Sequence, residues 1–163
     1  MLIRLPSQQL PVPATPTPQT VVLDTNVVLD WLLFDDPTAQ ALNAALLAGE
    51  LRWVATLAMR DELAHVLARG SLDRWQPDLP ALWSRWDRLC TAVPAAAVTP
   101  LRCTDPDDQK FIDLAASRPG CLLLSRDRAI LKLARRLDAL GVRLTTPAVW
   151  VADRSLLEHV TPC

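Results

Sequence analysis

VVLDTNVVLDWLL, residues 21–33, is the stretch on which the fold turns. Its first four residues are an apolar run closing on an acid, the pattern of a short strand buried on both faces. From Asn26 to Phe34 the apolar residues recur at helical spacing, so the strand passes straight into a helix. Asp24 stands at the junction with apolar neighbours on both sides. An acid so placed is not an ordinary solvated surface residue.

The same alternation repeats outward from this segment. Pro37 breaks the first helix, and Thr38 is expected to cap a second one through Leu47, stopped by Gly49. LRWVA (51–55) reads as a second strand, after which Thr56 caps a helix from Leu57 to Ala68 with Gly70 as its stop. Residues 78–90 place Leu79, Leu82, Trp86 and Leu89 at helical spacing, and 98–106 read as a loop. Asp107 to Ser117 is helical, CLLLS (121–125) is a third buried strand, and Asp127 to Leu140 reads as one long helix ended by Gly141. VRLTT (142–146) is a fourth strand, followed by a short helix. Short apolar strands alternating with helices predict an α/β fold, a three-layer α/β/α sandwich around a mainly parallel sheet. Five prolines between Pro6 and Pro18 mark residues 1–20 as a flexible leader; the domain is expected over 21–150, with 151–163 as a tail.

Composition narrows the function. The 163 residues are half hydrophobic and carry a formal net charge of −1, so the chain has ample core and no bulk positive charge for nucleic acid. Of the 18 acids only Glu50, Glu62 and Glu158 are Glu; the basic residues are nearly all Arg. Cysteines 90, 103, 121 and 163 form no C-x-x-C pair, which argues against a zinc site, and Cys121 opens an apolar run as a buried thiol. With no signal-peptide stretch and no apolar window of membrane-spanning length, a soluble protein of a reducing, cytoplasmic compartment is expected.

In a parallel sheet the active site lies at the carboxyl ends of the strands. Asp24 ends the first strand and Asp127 follows the third, so both reach the same edge. Glu62 lies in the helix after the second strand, and Asp108 in the first turn of the helix before the third. Four carboxylates gathered there repel one another and raise each other's pKa. A hard cation such as Mg²⁺ or Mn²⁺ relieves this, since it takes carboxylate oxygens and retained waters. Each acid also has a plainer reading. Asp24 and Asp127 suit helix caps, Asp108 complements a helix dipole, and Glu62 suits a solvated face. Asp105, before Pro106, reads as a turn residue.

VVLDTNVVLDWLL resembles the opening strand and helix of a PIN domain, where a DTN or DTS triplet supplies the first acid. TLAMRDELAHVLARG resembles the helix that supplies the second, and DPDDQKFIDLAASRPGCLLLSRDRAIL the segment carrying the third and fourth. The likeness spans about residues 21–150 and points to the branch of toxin components of toxin–antitoxin pairs, VapC-like ribonucleases. It implies a Mg²⁺- or Mn²⁺-dependent endoribonuclease with Asp24, Glu62, Asp108 and Asp127 as catalytic acids. Of these, Asp24, Asp108 and Asp127 would hold metal, and Glu62 would act through a metal-bound water. Asn26 and Ser125 match supporting polar positions, and Asp107 stands one step from the third acid. Such proteins pair with a small antitoxin and often form dimers. Position 126 is Arg where the branch often has Gly; Arg126 would contact RNA phosphate or pair with a site acid and weaken metal binding.

Arg126, Arg128 and Lys132, with Arg135, Arg136 and Arg143, would form a phosphate-tracking strip beside the site, against the plainer reading of a solvated helix face. Trp83 and Trp86 share a helix and would mark either core or a partner surface. His65, three residues after Glu62, is a candidate base or a surface histidine. A haloacid-dehalogenase-like phosphatase fits poorly, because Asn26 stands where it needs a second Asp. A response-regulator receiver fits poorly too, because Ser125-Arg126 replaces the late Lys. A non-catalytic interaction module on the same fold is the remaining alternative.

Overall fold

Among the described residues, five strands form one sheet: β1 (Gln19–Leu23), β2 (Leu51–Ala55), β3 (Cys90–Ala92), β4 (Leu122–Leu124) and β5 (Arg143–Thr145). Their order is β3-β2-β1-β4-β5 and every neighbouring pair is parallel. The structure is a computed structural model and describes residues 15–159. The helices are α1 (Thr25–Leu32), α2 (Pro37–Leu47), α3 (Leu57–Ala68), α4 (Leu79–Leu89), α5 (Gln109–Ala116), α6 (Arg128–Leu131), α7 (Ala134–Asp138) and α8 (Pro147–His159).

Val21, Val22 and Leu23 of β1 and all three residues of β4 are buried, on both faces of the sheet. Consecutive apolar residues can all be buried in a strand only when helices cover both faces, which is the α/β/α sandwich expected from the sequence. An edge-to-face chain of tryptophans runs from Trp31 on α1 through Trp53 on β2 to Trp86 and Trp83 on α4. Trp31, Trp53, Trp86 and Trp150 are buried, so most of the tryptophans are core.

The sheet departs from the sequence reading in one strand. β3 follows α4 directly, without a turn, and completes an edge that residue pattern alone does not reveal. Gln19 and Thr20, read as leader, already pair with Leu51 and Arg52; residues 1–14 lie outside the described part. The cap of α2 is Asp36, whose carboxylate accepts the Thr38 amide at 2.8 Å, with Pro37 at the first helical position. Thr38 is therefore the capped residue. Thr56 occupies the N-cap of α3 but makes no capping hydrogen bond. The expected helix over 127–140 is two short ones, because the backbone tightens into a turn at Lys132–Leu133, where the Leu133 amide bonds the Ile130 carbonyl at 2.9 Å. Ile130, Leu133 and Leu137 still face the core across that break. Gly141, at φ +76°, ends α7 in a conformation that suits glycine. Residues read as a tail from 151 are helical to His159, and α8 packs on α2.

The chain runs from β1 outward through β2 to β3, then returns to the other side of β1 for β4 and β5. The strand order thus reverses between β1 and β4. A crevice opens at the carboxyl ends of strands at such a reversal. None of the described helices is long and apolar enough to cross a membrane.

Candidate active site

The register Leu23↔Leu124 places the residues that follow the two strands side by side. Asp24 leaves β1 and becomes the N-cap of α1; one carboxylate oxygen accepts the Val27 amide at 2.8 Å. Its other oxygen accepts the Ser125 hydroxyl and, at 3.3 Å, the Arg126 amide. Ser125 is fully buried, and its oxygen in turn accepts the Asp127 amide at 3.0 Å. Asp127 caps α6 through the Ala129 amide at 2.6 Å, which commits one carboxylate oxygen and leaves the other for a ligand. The cap readings of Asp24 and Asp127 are therefore correct, and they coexist with a site: capping fixes where each carboxylate points.

Burial raises the Asp24 pKa, while Ser125 and the Val27 and Arg126 amides pull it back and Asp127 adds repulsion. The three donors fix this buried carboxyl in one orientation.

Asp108 arrives on a different element. The loop before it is pinned to α5: Gln109 donates to the Leu101 carbonyl and accepts from the Cys103 amide, each at 2.8 Å. Buried Asp113 accepts the Thr99 amide and Gln109 Nε2, both at 2.9 Å. Asp105 takes the Asp107 amide at 2.9 Å and starts the single 3₁₀ turn Pro106–Asp108, the structural role expected of it. Asp107 is exposed, and its carbonyl accepts from Lys110. The turn delivers Asp108 into the crevice, where its Oδ2 is buried without any hydrogen-bond partner. Its pKa is pushed up to about 6, first by burial and then by repulsion from Asp127, Asp105, Glu62 and Asp24.

Glu62, on α3, supplies the fourth carboxylate. One oxygen accepts the Thr25 hydroxyl, and the other is 2.8 Å from Lys110 Nζ. The four acids share a cleft of about 150 Å³ with Thr25, Asn26, Val66 and Phe111. Among the described residues, no group of three or more His, Cys, Asp or Glu already stands close enough to enclose an ion. The physical reason lies in the bonds above. Each of these carboxylates is turned toward a nearby donor: Asp127 to an amide, Glu62 to Thr25 and Lys110. The donor set is nonetheless the carboxylate-rich, water-accessible kind that hard divalent cations take. The orphaned Asp108 oxygen is the atom such an ion would satisfy.

Asn26 is exposed at the mouth of the cleft. Arg126 does not pair with any of the four acids; its guanidinium binds Asp30 at 2.8 Å. Arg128 and Lys132 are exposed, with Arg135 and Arg136 beyond the helix break, so the basic strip is two short pieces. Arg143 is tied to Asp153. His65 is exposed and bonds back to the Asp61 carbonyl at 2.7 Å, away from the cleft. Thr25 and Lys110 are the site residues that sequence reading misses. Thr25 stands inside the quoted DTN triplet, and Lys110 lies two positions after Asp108, but neither proximity to Glu62 is a sequence pattern.

The family model described as PIN domain matches residues 20–129. The solved structure of the T. brucei RRP44 PIN domain aligns with a TM-score of 0.47 at 13% identity, covering 89% of this chain and 88% of that one. No curated protein matches the chain.

Proposed function

Because the chain belongs to the PIN domain family, we propose that it is a divalent-metal-dependent endoribonuclease, the toxin of a toxin–antitoxin pair, acting on RNA in the cytoplasm. One observation carries the reading: the buried, partnerless Oδ2 of Asp108 in a cleft shared with Asp24, Glu62 and Asp127. A buried acceptor with no donor costs about 1–3 kcal/mol, a penalty that a bound cation removes.

Asp24, Asp108 and Asp127 would hold Mg²⁺ or Mn²⁺. When bound, such an ion acidifies water and neutralises charge on the phosphoryl group undergoing hydrolysis. The protein's own residues do the rest. Ser125 and the Val27 amide keep the Asp24 carboxylate aimed at the cleft. Asp108 repels its acidic neighbours and keeps the site avid for a cation. Glu62, held by Thr25 and Lys110, orients water from the far wall. Asn26 at the mouth supports Asp24 or a metal-bound water, and exposed Arg128 and Lys132 with Arg126 attract phosphates along one rim.

The test pairs binding with cleavage. Millimolar Mn²⁺ should raise the unfolding temperature of the wild type and leave Asp24→Asn/Asp108→Asn unmoved. Single-stranded RNA should be cut by the wild type only with metal, and not by Asp24→Asn. A folded wild type that neither gains stability from Mn²⁺ nor cuts RNA sinks the proposal and favours an interaction module.

A further inference from the structure

Among the described residues, Lys110 is the cation drawn into the acid cluster, and the metal-nuclease reading uses it only to hold Glu62. Its ammonium lies 2.8 Å from Glu62 Oε1 and also donates to the Asp107 carbonyl. The pair is largely shielded, with side-chain exposures of 23% for Lys110 and 25% for Glu62. The Lys110 ammonium also lies 5.0 Å from the centroid of the Phe111 ring, which lines the cleft. Thr25 engages the second Glu62 oxygen. Both oxygens of Glu62 are therefore committed, and to enter a coordination shell the carboxylate would have to give up one of these bonds. The other three acids are not so committed: Asp108 keeps a buried, unpartnered oxygen, and Asp127 has one oxygen outside its cap.

A two-metal site needs carboxylates on both sides to clamp a second ion. Here that second side carries a fixed positive charge that neutralises Glu62 and repels another cation. We infer that Lys110 stands in for a second metal, so that the cleft takes one divalent ion, beside Asp24, Asp108 and Asp127, with an ammonium opposite. The inference rests on the proposed metal-dependent activity of this same site. It assigns Lys110 and Thr25 as the pair that sets metal stoichiometry by disabling Glu62 as a ligand.

The experiment counts ions on the full chain without RNA. Bound Mn²⁺ is measured by loss of the free-ion paramagnetic resonance signal and by calorimetry. Wild type and Lys110→Arg should each bind one Mn²⁺. Lys110→Met should bind two, with the first held about tenfold tighter, because a like charge has been removed beside the site. Two ions on the wild type, or only one on Lys110→Met at any affinity, overturns the inference and leaves the nuclease proposal standing. No ion on the wild type overturns both. The pair is equally shielded at both ends, so in the absence of metal Lys110→Arg should unfold near the wild-type temperature and Lys110→Met below it, with both folded at the temperature of the titration.

Discussion

Asp108→Asn should stabilise the metal-free protein at neutral pH while removing its metal response. The Asp108 carboxyl has its pKa pushed from 3.8 to about 6, so the folded state favours the protonated form. The sign follows directly: stability from this group is full below the unfolded pKa near 3.8 and is lost as pH rises through about 6. At pH 7.5 the folded chain therefore carries an unfavourable charge. A shift of this size corresponds to about 3 kcal/mol at roughly 1.36 kcal/mol per unit. The carboxyl is partly open to water, which screens part of the effect and leaves roughly 1–2 kcal/mol. For a domain of this length that amounts to about 3–6 °C in unfolding temperature. Thermal unfolding in chelator should show Asp108→Asn above the wild type at pH 7.5 and level with it near pH 4. An Asn variant less stable than wild type at pH 7.5 would mean that the carboxylate has a favourable partner in the folded state, and the electrostatic account of the cleft would be wrong.

Three further outcomes follow from the same geometry. Ser125→Ala removes the hydroxyl that joins Asp24 to the Asp127 amide; it should cost about 1–3 kcal/mol and weaken Mn²⁺ binding roughly 10- to 100-fold, both read by metal titration of unfolding temperature. Asp113→Ala strips the Thr99 amide and Gln109 of their buried acceptor; it should lower stability by about 1–3 kcal/mol and increase amide exchange across residues 99–105, and unchanged exchange there would show that the loop is held by other bonds. Cys121 is buried, and burial pushes its thiol up to about 11, so in the native state at pH 7.5 it should resist a maleimide probe that reacts after unfolding, as mass spectrometry of the labelled chain would record.

The legible parts of this chain are local ones. An apolar run that ends in Asp24 and turns into a helix needs no tertiary information, because burial on both faces writes itself into consecutive residues. The same holds for residues 121–125 and for Asp127. β3 was illegible because Cys90–Ala92 is a short, partly exposed edge joined to α4 without a turn signal. The break at Lys132–Leu133 hides inside an unbroken apolar period, since Ile130, Leu133 and Leu137 stay buried on either side of it. Thr38 is the cap expected when Pro37 is read as a breaker; Pro37 instead takes the first helical position, which makes Asp36 the cap. Thr25 and Lys110 became visible only when α1, α3 and α5 were brought together, because pairing across 37 and 48 positions leaves no periodic trace.

The reversal of strand order has a consequence for synthesis. Ser125 and Asp24 are 101 positions apart yet share a hydrogen bond, because β4 lies beside β1 on the side away from β2 and β3 and follows both in the chain. Before residues 122–127 have been made, a growing chain holds at most β1, β2 and β3, an open β1 edge and three of the four acids. Asp24 has neither its hydroxyl donor nor its acidic neighbour at that stage. A PIN domain built this way completes its acid cleft only once β4 and the turn that follows it have been made.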